Sequence, residues 1–327
     1  MSARDWSMVA ERLSSALDGR VETGASLAPL TTYRLGGPAS VYVEPAHTED
    51  VIALGEQLRD TGNALGPIPV LALGRGSNIV VSDEGWEGVV VRLPPGAFSW
   101  IEALEDEQGC VAGGSTSLPL LANWSARRGL TGMEFLVAIP GSVGGAMRMN
   151  AGAHGREIAD CLESARVFDL DALRLDLHPA AELDFSYRHS NLTERHLVLE
   201  ASFRLTPSDA ETVRQRIDSY RRHRAATQPG ALQNAGSVFK NPPGDAAGRL
   251  VESAGLKGFS VGGASVSELH ANFFIASAGA SAQDVFDLVH AVRARVAAAT
   301  GIELEPEIKF LGVFARRDAA EVEAGAR

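Results

Sequence analysis

Five glycines fall within the fifteen residues from Gly141 to Gly155, in a run that is otherwise largely apolar. Glycine gives up more conformational freedom on folding than any other residue, so such a run weakens a regular helix or strand. Surface loops are usually polar. An apolar loop built on glycine therefore suits a wall against which a flat or bulky group packs closely, the alternative being a plain surface loop. Glycine is frequent elsewhere too, 34 of 327 residues, which implies many positions of close backbone approach or positive φ.

A second glycine segment, Leu73-Gly74-Arg75-Gly76-Ser77-Asn78, lies between two apolar runs. Glycines at alternate positions let successive N–H groups point into one concavity that suits an anion such as a diphosphate. A tight hairpin turn is the plain alternative. The segment is neither the dinucleotide fingerprint GxGxxG nor the P-loop GxxxxGK[ST].

Four further segments carry chemistry in their side chains. Arg188, in Phe185-Ser186-Tyr187-Arg188-His189-Ser190, offers a planar, permanently charged fork for a carboxylate or phosphate. Ser237, in Asn234-Ala235-Gly236-Ser237-Val238-Phe239-Lys240-Asn241, sits on a turn entering a strand. It has no nearby His–Asp partners and is not a hydrolase elbow, so it reads as a turn serine or a proton donor. Glu307, in Glu305-Pro306-Glu307-Ile308-Lys309-Phe310, would face away from Ile308 and Phe310 in an alternating strand. Arg221-Arg222-His223-Arg224 is the one dense basic cluster. It complements a helix C-terminus or attracts a diphosphate.

Strands are expected at Val41–Glu44, Pro69–Leu73, Ile79–Ser82, Gly88–Arg92, Cys110–Ala112, Ala165–Leu170, His196–Leu205 and Leu304–Leu311. Helices are expected at Thr48–Thr61, capped by Thr48, and at Ser117–Arg128. Another follows a capping-box pair of Ser208 and Glu211. A last one follows Ser281 and Asp284, with Val285, Leu288, Val289, Val292 and Val296 on one stripe. Boundaries near Pro95 and Pro207 give three units, 1–94, 95–206 and one from 207 on, with a frayed tail at 316–327.

The net charge of −11 disfavours nucleic acid and anionic membranes as partners. Asp5, Glu11 and Arg12 interrupt any apolar run at the start, and no stretch approaches the ~18 apolar residues of a membrane span. Cys110 and Cys161 form no CxxC pair and read as buried small hydrophobes in a reducing compartment. No metal site is expected, and a cytoplasmic location is.

In this order the segments resemble one family, the UDP-N-acetylenolpyruvoylglucosamine reductases of peptidoglycan synthesis. The likeness runs from Thr32-Tyr33-Arg34-Leu35-Gly36-Gly37 to Gly312 and rests most on IPGSVGGA with MNAGAHG, SYRHS, AGSVFKNP and EPEIKFLG. It implies an α+β fold: a two-part FAD-binding module of the vanillyl-alcohol-oxidase-like (PCMH) type plus a C-terminal α+β substrate domain over 207–302, with 303–315 rejoining the first part. The subtype implied is the one without an extra tyrosine loop, marked by His270-Ala271-Asn272-Phe273-Phe274.

The resemblance implies that Gly74, Gly76, Ser77 and Asn78 hold the FAD diphosphate and that Gly141, Ser142, Gly144 and Gly145 line the flavin. Arg34, Arg75, Gly114, Pro140, Asn150 and Gly152 are implied as further cofactor contacts. Ser237 would be the proton donor, completed by Arg188 and Glu307, with Tyr187, Lys240, Asn241, His270 and Asn272 on the substrate. NADPH would reload the flavin, the substrate would be a UDP-sugar, and the protein would act as a monomer. Ala138 stands where the family usually has Gly, and His154 where it usually has Tyr. Two other readings are a different FAD-linked oxidase or dehydrogenase of the same cofactor fold, and a non-catalytic nucleotide-sugar-binding protein.

Overall fold

The computed structural model describes residues 4–230 and 233–317. The chain divides into two compact units. The first comprises Met1–Ala25, Ser40–Arg75 and Gly88–Arg224; the second comprises Ser26–Ala39, Gly76–Glu87 and Ala225–Arg327.

The first unit is built on two sheets. One is four-stranded, in the order Arg20–Thr23, Ala39–Glu44, Trp86–Val91, Val70–Ala72. The helices Trp6–Ala16 and Thr48–Leu65 share its core through Val9, Leu13, Val51, Leu54 and Leu58, against Val41, Val43, Val89 and Val91. The 3.6-residue spacing of Val51, Leu54 and Leu58 thus buries one face, as the sequence implies. This helix runs past Thr61 to Leu65 and stops at Gly66, whose φ of 84° glycine tolerates. Its cap is not Thr48, the first helical residue, but His47, whose Nδ1 accepts the Asp50 N–H at 3.2 Å.

The other sheet has five antiparallel strands in the order Arg174–Pro179, Leu162–Asp169, His196–Arg204, Gly109–Gly113, Ile101–Ala103. The helices Leu118–Arg127, Val143–Arg148 and Ala210–Thr227 pack on it through Leu121, Trp124, Val143, Met147, Val213 and Ile217. Cys110 and Cys161 lie free in this core, and burial pushes both thiols up to about 12.

Two local expectations fail here. The glycine-rich run is not loop throughout: Val143–Arg148 is helical despite Gly144 and Gly145, because Val143, Ala146 and Met147 bury the other face. Tertiary burial outweighs a propensity deficit of roughly 1 kcal/mol per glycine. The helix at 210 is not opened by a Ser208–Glu211 box. Asp209 does the capping, accepting Thr212 N–H at 2.8 Å, while the Ser208 N–H binds Gly129 O at 2.6 Å.

The second unit holds a three-stranded antiparallel meander, Ser260–Val261, Ala264–Val266 and Phe274–Ala276. Packed with it are the helices Ala247–Ser253 and Ala282–Thr300. The predicted stripe of Val285, Leu288, Val289, Val292 and Val296 is fully buried. The Ser281–Asp284 capping box forms with both bonds at 3.0 Å. Tyr33 is buried here, its hydroxyl donating to Phe274 O at 3.0 Å. Lys309–Leu311 pairs in parallel with Ile79–Val81. Only these last residues of the stretch predicted from Leu304 form a regular strand. Pro306, with no N–H to donate, makes only an isolated bridge with Phe239.

Candidate functional site

In the first unit the glycine segments meet at one cleft that opens to solvent. Its lining includes Leu73, Gly74, Arg75, Gly114, Ser142, Gly144 and Gly145. Two of these glycines are crowded by their surroundings. A Cβ on Gly114 would lie 1.8 Å from Val198 O, and one on Gly74 would lie 2.9 Å from Ser142 Oγ. Gly114 also locks the cleft: its N–H binds Leu199 O at 2.7 Å, and its carbonyl accepts the Gly144 N–H at 2.9 Å. Val91, Leu93 and Leu197 supply apolar wall.

The main-chain N–H groups of residues 74 to 78 donate to no protein acceptor among the described residues. Successive unspent N–H groups suit an anion. Apolar walls, glycine-thin backbone and the unspent amides of Gly74 and Arg75 come together in the first unit's cleft. Gly76, in the second unit, is held at φ 63° with its carbonyl accepting the Thr32 N–H at 3.0 Å. Asn78 spends its side chain on Glu307 O at 3.2 Å. Arg34 is exposed and donates to Pro29 O at 2.7 Å. Pro140 is exposed, while Gly141 is buried, with its carbonyl accepting the Leu118 N–H at 3.1 Å.

Arg188 sits in the first unit on a tight turn in which Ser186 and His189 exchange both main-chain bonds, at 3.2 and 3.0 Å. Its φ is 56°, its guanidinium donates to Gly152 O at 3.1 Å, and its Cζ lies 5.0 Å from the Tyr187 ring centroid. Gly152 itself is required by its hairpin, since a Cβ there would meet Arg156 O at 2.5 Å. Asn150 is fully buried, with both ends of its amide on main chain.

Ser237 and Glu307 lie in the second unit on adjoining segments. The Glu307 N–H binds Val238 O at 2.7 Å, and the Lys240 N–H binds Glu305 O at 2.9 Å. Ser237 is half-buried, and its hydroxyl has no hydrogen-bond partner among the described residues. Asn272 pins the segment: its Oδ1 accepts the Phe239 N–H at 2.9 Å and its Nδ2 donates to Phe239 O at 2.8 Å. Lys240 pairs with Glu305 at 2.7 Å, and Asn241 Oδ1 accepts the Ala247 N–H at 3.0 Å. The His270 Nδ1 accepts the Asn272 N–H at 3.2 Å, and burial pulls its pKa down.

Sequence reasoning missed the far wall of the cleft, Arg148, Thr193, His196 and Val198. No local pattern marks them: Arg148 ends the short helix, Thr193 precedes the strand, and His196 and Val198 lie on a strand whose periodicity reports only the core. The two departures from the family pattern have local partners. The Ala138 carbonyl accepts from Arg224, and the His154 ring stacks on Tyr220 with centroids 3.9 Å apart. The basic cluster is largely engaged, Arg221 with Asn123 at 2.8 Å and Arg224 with Ala138.

The chain matches two family models: an FAD binding domain over residues 39–177 and the C-terminal domain of UDP-N-acetylenolpyruvoylglucosamine reductase over residues 228–311. Similar relatives include the UDP-N-acetylenolpyruvoylglucosamine reductase of Heliobacterium modesticaldum, 43% identical over 86% of this chain and 88% of that protein. That of Bradyrhizobium sp. is 42% identical over 92% of this chain and 95% of that one. Among solved structures, the UDP-N-acetylenolpyruvylglucosamine reductase of Thermus caldophilus superposes with a TM-score of 0.75 at 36% identity, over 90% of this chain and all of that one. The α+β architecture, its FAD-binding domain and the motifs along the sequence therefore agree: the chain belongs to the UDP-N-acetylenolpyruvoylglucosamine reductase family.

Proposed function

We infer that this chain is an FAD-dependent oxidoreductase that reduces the enolpyruvyl group of UDP-N-acetylglucosamine enolpyruvate, giving UDP-N-acetylmuramate for peptidoglycan. The observation that carries the reading is the glycine-built cleft, whose thin walls at Gly74, Gly114 and Gly144 and unspent amides suit FAD. NADPH is the reductant in this reading. Two free buried thiols support a reducing, cytoplasmic location. Among the described residues no helix is long and apolar enough to cross a membrane.

Bound FAD, once reduced, supplies hydride to the β-carbon of the enolpyruvyl group. The chain's own residues do the rest. Arg188 holds the substrate carboxylate and the negative charge that develops on it, with a guanidinium that keeps its proton throughout. Ser237 delivers a proton from Oγ to the α-carbon. A serine hydroxyl is a weak acid, and the enolate formed by hydride addition is a base strong enough to take its proton. That hydroxyl has no protein partner among the described residues, so no protein acceptor competes for its proton. Glu307 is assigned to the charge around Ser237. Gly74, Arg75, Gly76, Ser77 and Asn78 are assigned to the diphosphate.

Anaerobic stopped-flow absorbance tests this. NADPH should bleach the flavin band near ~450 nm, and UDP-N-acetylglucosamine enolpyruvate should restore it. In Ser237→Ala the bleaching should persist while restoration slows by ~10²–10⁴-fold. A variant that re-oxidises at the normal rate removes Ser237 from the mechanism; a purified protein that takes up no flavin removes the whole reading.

A further inference from the structure

We propose that Asn150 is a positioning residue for Arg188, acting through the Ser186–His189 turn; the inference rests on the reduction assigned above.

The helix Val143–Arg148 ends in a Schellman arrangement: the Ala151 N–H binds Ala146 O at 2.8 Å and the Asn150 N–H binds Met147 O at 3.2 Å. Asn150 takes the left-handed position at φ 40°, where asparagine is among the few side-chain-bearing residues tolerated. That backbone turn carries its carboxamide into the interior, where the residue has no exposed surface. There the Nδ2 donates to Ser186 O at 3.1 Å, and the Oδ1 accepts the Ala159 N–H at 3.1 Å.

Ser186 is the first residue of the two-bond turn whose third is Arg188. Arg188 also has positive φ, an unfavourable backbone state for a long side chain, so the turn must be held from outside. Three contacts do so from the same stretch of chain. Arg148 O accepts the Ser190 hydroxyl at 2.9 Å, the Asn150 amide takes Ser186 O, and Gly152 O takes the guanidinium at 3.1 Å. Residues 148, 150 and 152 thus grip the turn at its exit, its entry and its side chain. The resemblance assigns Asn150 to the cofactor; its polar ends instead bridge two main-chain segments. Of these three contacts, the Asn150 amide is the one a side chain makes from the helix end to the turn's own main chain.

The test uses the flavin-loaded protein and a double-mutant cycle. Asn150→Gly keeps the left-handed backbone and removes the side chain. Asn150→Asp keeps an acceptor for Ala159 and replaces the donor to Ser186 with a carboxylate oxygen, adding a negative charge. For both, flavin bleaching by NADPH should stay within about twofold of the parent, while re-oxidation by UDP-N-acetylglucosamine enolpyruvate slows about tenfold or more. In an Arg188→Ala background, adding Asn150→Gly should change re-oxidation by less than about twofold. Equal losses in both backgrounds, or no loss beside intact Arg188, overturn the proposal. Should Asn150→Gly lose flavin, Asn150→Asp decides alone; should neither hold flavin, Asn150 is a folding determinant and the proposal fails. If the parent protein itself is not re-oxidised by the sugar, the assigned reduction falls, before any variant is made.

Discussion

At Gly114 a strand end, a crossing strand and a helix start meet at a residue with no side chain. Its N–H and carbonyl are both spent, on Leu199 and Gly144, and the space a Cβ needs is filled by Val198 O. Gly114→Ala must push backbone apart, so it should cost about 3 kcal/mol and reduce flavin content. Thermal melting and absorbance of the purified variant measure both, and a variant as stable and as yellow as its parent contradicts the account. Glycines of this kind are legible in a sequence because few other residues can stand there. Asn150 and Asn272 are not. A carboxamide announces hydrogen bonding without naming its partner: the resemblance assigns both to ligands, and the structure shows main-chain partners for both. His47 was overlooked as a cap for a similar reason: imidazole is a rarer acceptor there than the hydroxyl beside it.

The helix Ala282–Thr300 could be read at the scale of elements because every local signal agrees. It has a reciprocal cap, an apolar stripe in phase, and Gly301 in the left-handed state at its end. Ser281→Ala removes the acceptor for Asp284 N–H and should cost about 1 kcal/mol. For a unit of this size that is about 4 °C in melting temperature, read by calorimetry; an unchanged melting curve would mean the cap contributes nothing. The helix Val143–Arg148 is the opposite case. Its six residues include two glycines, so nothing local predicts it, and it exists because the core takes Val143, Ala146 and Met147. The strand predicted from Leu304 shortens to Lys309–Leu311 because apolar alternation cannot report that Pro306 lacks the donor a ladder needs.

For the whole molecule, the segments that touch across long stretches of sequence are what the chain conceals: Asn78 against Glu307, Asn150 against Ser186, Gly114 against Val198. Each is a contact that only the finished fold creates. The composition of the segments was readable; of their convergence, only the return of the C-terminal strand was, and that through the family resemblance. One consequence is measurable on the intact protein. A cleft with unspent amides is a binding site the unfolded chain lacks, so FAD should stabilise the fold by RT ln(1 + [FAD]/Kd), about 2.7 kcal/mol at a hundredfold excess over Kd. The first unit has about 200 residues, for which that energy corresponds to roughly 5–10 °C. Protein stripped of flavin in concentrated bromide should melt lower by that amount and recover as FAD is titrated back. Riboflavin carries the same ring without the diphosphate, so at equal concentration it should recover less. Equal recovery by the two compounds would show that the amides of residues 74 to 78 hold no diphosphate, and a melting temperature indifferent to both would show that the cleft is no flavin site.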